Sequence, residues 1–127
     1  MPVIRFCRLP DHLFMAKNLA VVIQEDPRRS HRPVEALRIA LGLASGSHMT
    51  TVVLLGEAVR LLGNETDDLH DGEILEKYLP AVERLEIPFI LSDASHQTPV
   101  RDEFSVRREN NETINSFVQS MDCAFVF

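Results

Sequence analysis

Three of the chain's five histidines, His31, His70 and His96, lie in polar stretches that also hold Ser30, Glu57, Ser92, Asp93 and Ser95. These side-chain types could form a hydrolytic nucleophile with a base and an orienting carboxylate, or a metal site of imidazoles and carboxylates. Their spacing selects neither chemistry. No two of these histidines stand four residues apart, as two ligands on one helix face would. A Gly-x-Ser-x-Gly turn is absent, and no Gly-rich phosphate loop follows the first apolar run. Polar surface loops account for the same residues more simply. The expectation is therefore no metal, no cofactor and no assigned catalytic residue.

Cysteine is the other nucleophile. Cys123 opens an apolar terminal run, where a thiol acts as a small buried hydrophobe. Cys7 has only Arg5 and Arg8 nearby to lower its pKa. Two cysteines are too few for a disulfide framework and too isolated for zinc. Both are read as structural.

Positioning these residues requires an alternation of strands and helices. Residues 18–24 form a short, β-branched apolar run, as expected of a strand buried on both faces. After a polar loop at 25–32, Pro33 fits the first turn of a helix whose apolar positions include Leu37, Ala40, Leu41 and Ala44, with Gly46 as its stop. Residues 50–55 are the second strand and 57–62 a short helical turn, followed by an acidic loop at 65–70. Asp71 is expected to cap a helix reaching about Leu85, kinked at Pro80. Residues 88–92 are the third strand and 93–101 a polar loop. Residues 102–110 fit either an extended piece or a short charged helix. Asn111 is expected to cap a helix carrying Ile114, Phe117, Val118 and Met121, and 123–127 is the last strand.

This order predicts right-handed βαβ units and a parallel sheet covered on both faces. Ligands of such sheets bind beyond the carboxyl ends of the strands, which selects Ser30, His31, Glu57, Ser92, Asp93, Ser95 and His96 as rim candidates and puts His48 at the opposite edge. Residues 1–16 fit less well and are read as an N-terminal extension to a domain at 17–127. Met15-Ala16-Lys17-Asn18 resembles a translation start, while 3–7 could add an edge strand. Gly46-Ser47-His48-Met49 resembles a cloning scar but lies mid-chain between two elements, and is taken as native.

The 127 residues suit one domain, and 45% apolar with 25% charged residues is a globular balance. A net charge of −6 argues against nucleic acid as a partner. No apolar run approaches the roughly 20 residues of a membrane span, and no secretory signal opens the chain. These features imply a cytoplasmic protein.

The stretch Val34-Glu-Ala-Leu-Arg-Ile-Ala-Leu-Gly-Leu-Ala44, followed by Thr51-Val-Val-Leu-Leu-Gly-Glu-Ala-Val-Arg-Leu-Leu62, resembles the DsrE/DsrF-like proteins, which include TusD-related sulfur carriers. The closing Ser116-Phe-Val-Gln-Ser-Met-Asp-Cys-Ala-Phe-Val-Phe127 resembles their terminal helix and strand. The resemblance spans about residues 17–127. It implies a three-layer α/β sandwich with a mostly parallel four- to five-stranded sheet, assembled as a dimer, trimer or hexamer. It also implies a persulfide-carrying cysteine in the loop after the third strand. Here that stretch reads Ile90-Leu-Ser-Asp-Ala-Ser-His96, with no cysteine. A serine hydroxyl cannot carry sulfur, because the chemistry needs a polarizable thiolate that bonds to sulfur and releases it.

Fold and missing thiol together lead to the expectation of a non-catalytic binding or accessory subunit, linked to sulfur metabolism and homo-oligomeric, with a protein partner or small ligand at the rim. Two other readings stay open: a small-molecule enzyme using Glu57, Asp93 and His96, and a divergent persulfide carrier using Cys7 or Cys123.

Overall fold

The computed structural model describes residues 17–93 and 99–127, together with the backbone of residues 4–7. The elements run β1 (Ile4–Cys7), β2 (Asn18–Ile23), α1 (Arg32–Ser45), β3 (Met49–Leu54), a 3-10 turn (Gly56–Leu62), α2 (Gly72–Arg84), β4 (Phe89–Ser92), β5 (Val106–Glu109), α3 (Asn111–Gln119) and β6 (Cys123–Val126). They build one six-stranded sheet in the order β1-β6-β2-β3-β4-β5. Five strands run parallel, and β1 adds an antiparallel edge against β6, within the stretch where an edge strand was anticipated.

The register explains the two-sided burial. Val21, Val52 and Phe89 are neighbours across β2, β3 and β4, as are Ile23, Leu54 and Leu91 two residues further on. Both rows face α1 and α2, where they join Leu37, Leu75, Leu79 and Val82 in the main core. The intervening row, Val22, Val53 and Ile90, points to the other face and packs under Ile114 of α3. Successive strand residues alternate between faces, so an apolar run without polar interruption requires helices on both sides. Each buried aliphatic side chain contributes about 1.5–3 kcal/mol.

The crossover direction places α3. The chain steps from β2 to β3 to β4 to β5 in one direction, then returns from β5 past those strands to β6. A right-handed crossover running backwards lies on the opposite face from one running forwards. The result is the expected three-layer sandwich.

Local differences from the sequence expectation have specific causes. Residues 106–109 settle the 102–110 ambiguity as a strand, anchored where Phe104 meets Phe89 edge-to-face with ring centroids 6.0 Å apart. Its Arg107, Arg108 and Glu109 suit an outermost strand, where charge discourages pairing with other chains. Asp71 does not cap α2 through its side chain: its backbone is left-handed, φ 60°, and its carboxylate makes no capping bond. The cap of α3 is Asn110 rather than Asn111, its amide oxygen accepting from the Thr113 N–H at 2.7 Å. α1 begins at Arg32, one residue before Pro33, and α2 continues helically through Pro80. After Gly46 at the end of α1, the left-handed residue is Ser47, φ 75°.

Candidate functional site

Ser92, two residues beyond Ile90 on β4, turns by the same alternation toward the α3 face, and Leu55, the residue after β3, packs against the cluster of Val53, Ile90 and Ile114 on that face. There the carboxyl ends of β3 and β4 meet the first turn of α3. A cleft of about 460 Å³ opens between them, lined among the described residues by Leu55, Gly56, Ser92, Asn111, Ile114 and Asn115. Gly56 has φ +56°, and a methyl group built on it would meet nothing within 4 Å. The backbone turns there without a side chain and leaves the cleft mouth open.

Ser92 is 5% exposed, and its hydroxyl donates to the Asn111 Oδ1 at 3.2 Å. That bond ties the end of β4 to the start of α3. The cleft lining offers one hydroxyl, two carboxamides and aliphatic surface. These groups donate and accept hydrogen bonds without carrying charge.

The other rim candidates occupy different places. Glu57 opens the 3-10 turn on the α1 side of the sheet. It binds the Arg60 guanidinium at 2.6 Å and lies 3.6 Å from that of Arg28. Arg28 is also paired with Asp26 at 2.8 Å. Its hydrogen bonds hold the Asp26 carboxyl below the usual carboxylate range, against a smaller opposing effect of burial. Glu57 thus belongs to a surface ion cluster. The Ser30 hydroxyl accepts from the Arg32 N–H at 3.1 Å. His31 is exposed at the N-cap of α1 and makes no side-chain capping bond. Asp93 follows Ser92 and is exposed. Ser95 and His96 lie outside the described residues. Among the described rim candidates, Ser92 is the one that lines the cleft, while Ser30, His31 and Glu57 accompany α1 and the 3-10 turn.

The sequence reading missed Asn111 and Asn115 as cleft residues, although a signal was available. A backward crossover puts the first turn of α3 on the face toward which Ser92 points. It also missed Arg101, which anchors the far end of the loop after β4. Its guanidinium donates to the Gly63 carbonyl at 3.0 Å and to both oxygens of Glu76 at 3.1 and 2.5 Å.

His48 lies at the opposite edge, as expected, accepting from the Lys17 N–H at 3.3 Å. Cys123 is also at that edge and 5% exposed, in keeping with a buried structural residue, but it is disulfide-bonded rather than a free thiol. Among the described residues no group of three or more His, Cys, Asp or Glu is placed to hold a metal ion. Among the described residues no helix is long and apolar enough to cross a membrane.

No family model and no curated protein sequence matches the chain. Among solved structures, the crystal structure of the ychN protein from E. coli is similar, with a TM-score of 0.70. The match covers 87% of this chain and 99% of that one, at 18% sequence identity. The likeness establishes the fold, which is the DsrE/DsrF-like α/β fold expected from the sequence.

Proposed function

We propose that this chain is a non-catalytic binding or accessory subunit of DsrE-like fold, and that its ligand or partner engages the cleft between β3, β4 and α3. The observation that carries this reading is Ser92. It stands at the carboxyl end of β4, where the family resemblance implies a sulfur-bearing cysteine nearby, and its hydroxyl donates to the Asn111 Oδ1. A hydroxyl in that place binds by hydrogen bonding and cannot cycle through a persulfide. The uncharged lining suits a small polar molecule or a peptide segment better than it suits acid–base chemistry.

The competing readings receive less support. An enzyme using Glu57 would have to release it from Arg60 and Arg28. A carrier using Cys123 would need a buried, disulfide-bonded sulfur to become accessible. We place the subunit in the cytoplasm, with a link to sulfur handling that rests on the family resemblance. Self-association is part of the proposal, supported by the half-buried Ile39, Leu41 and Leu43 of α1 and the exposed Met49, Ile74 and Leu85.

The test is to incubate the reduced full chain with a persulfide donor and weigh it intact. The expected result is no added sulfur. A gain of about 32 Da on Cys7 or Cys123 would overturn the non-carrier reading. Amide shifts on titration with candidate ligands should concentrate at Gly56, Ser92 and Asn111; binding that shifts only residues elsewhere would remove the cleft from the proposal.

A further inference from the structure

We infer that Cys7 and Cys123 form a redox-controlled staple that fastens the edge strand β1 to the rest of the sheet. Cys123 is disulfide-bonded, and the chain contains only one other cysteine. The antiparallel register of β1 on β6 makes Cys7 the Cα partner of Cys123. Directly opposed residues of an antiparallel pair lie about 4.5–5.5 Å apart at Cα, within the span a disulfide bridges. Backbone register, cysteine count and the bonded state of Cys123 thus agree on one pairing.

The staple sits where it matters for the sheet. β1 is the outermost strand, paired only with β6 through four residues, Ile4 to Cys7. A pairing that short is marginal without a covalent tie. β6 lies between β1 and β2, so departure of β1 would turn β6 into an edge and uncover a row of backbone N–H and C=O groups. The switch rests on the cytoplasmic placement proposed above, where a cross-strand disulfide is exposed to reduction by the thiol pool. The closing step balances as thiol–disulfide exchange with a low-molecular-weight disulfide. One cysteine thiolate attacks that disulfide and releases a thiol. The second thiolate then displaces the other half, so two protein thiols are oxidised and one disulfide is reduced to two thiols. A dithiol reverses the sequence.

The experiment uses the full chain equilibrated with oxidised glutathione, then alkylated and weighed intact. The expected mass is about 2 Da below the reduced, unalkylated chain, for two hydrogens lost per disulfide. A non-reducing digest should join the Cys7 and Cys123 peptides. Amide exchange at residues 4–7 and 123–126 should accelerate on adding dithiothreitol, while that of Val52 to Leu54 stays slow. Cys7→Ser and, separately, Cys123→Ala should give the faster pattern without reductant. Two alkylated thiols, stable mixed disulfides with glutathione, or a disulfide between two chains would overturn the pairing. Equal exchange at β1 and β6 in oxidised and reduced protein would overturn the switch. A persulfide adduct adds sulfur rather than removing hydrogen, so this outcome is read independently of the carrier test.

Discussion

Arg101 grips Glu76 with two guanidinium nitrogens, one on each carboxylate oxygen, joining the loop after β4 to helix α2. The Thr66 hydroxyl donates to the same carboxylate at 2.6 Å, and the Arg101 N–H donates to the Leu62 carbonyl at 2.9 Å. The Arg101 side chain is 17% exposed and that of Glu76 is 42% exposed. Arg101, then Thr66, hold the Glu76 carboxyl below its ordinary 4.5, outweighing the opposite effect of burial.

The sign of the pH dependence follows. A carboxyl whose pKa is depressed by folding contributes stability that is complete above its unfolded value and lost as pH falls through the folded value. Arg101→Met should cost about 1 kcal/mol at neutral pH, the half-exposed carboxylate keeping the figure low. It should also flatten part of the acid-side loss of stability, leaving the portions due to Asp26 and Glu35, whose arginine partners lower them likewise. Denaturant unfolding across the acid range checks this. An unchanged acid slope in the variant would show that the pair carries none of it.

Gly72 is required by a close approach. A Cβ there would lie 2.3 Å from the Thr66 carbonyl oxygen and 3.4 Å from its carbon, both backbone atoms with little freedom to yield. Gly72→Ala should therefore destabilise by about 1–3 kcal/mol, despite alanine's better helix propensity. A denaturant midpoint equal to or above that of the parent would mean the 66–72 turn relaxes freely.

The contrast between Asp71 and Asn110 shows what the sequence made legible and what it hid. Both α2 and α3 were readable from apolar spacing, because Leu75, Leu79 and Val82, or Ile114, repeat toward a core that exists wherever a sheet face must be covered. Which polar residue caps each helix was not readable. Asp71 stands at the N-cap of α2 but its carboxylate makes no capping bond, and of the adjacent Asn110 and Asn111 it is Asn110 that caps α3. The parallel sheet was legible in the β-branched runs of β2 and β3. The cleft was less so, because it joins Ser92 to Asn111, nineteen residues later, through a crossover direction. The rim rule selected one edge of the sheet but not one face, so it grouped Glu57 with Ser92. The cross-strand cysteines were hidden for a similar reason, since they become neighbours only once β6 is inserted between β1 and β2.

Asn110→Ala removes the side-chain acceptor for the Thr113 N–H at the start of α3. The loss should be about 1 kcal/mol, typical of an N-cap. Local effects should be confined to the α3 side of the sheet: faster amide exchange at Thr113 and Ile114, with the α1 and α2 amides unchanged. Uniform acceleration throughout the chain would instead mean that α3 opens only with global unfolding.

Gly56→Ala separates the cleft from the fold. The positive φ of Gly56 should make alanine cost about 1–2 kcal/mol, because an L side chain in the left-handed region crowds its own backbone. No neighbouring atom lies within 4 Å of the added methyl, so no packing penalty should be added to that conformational one. The chain should remain folded, with the registers of β3 and β4 intact. The same methyl would stand at a cleft whose walls are Leu55, Ser92 and the first turn of α3. A ligand bound there should then lose affinity more steeply in Gly56→Ala than in Asn110→Ala, although both variants lose comparable stability. Calorimetric titration of the two variants with one ligand compares them directly, and equal losses would mean that the ligand senses α3 order rather than the open mouth at Gly56.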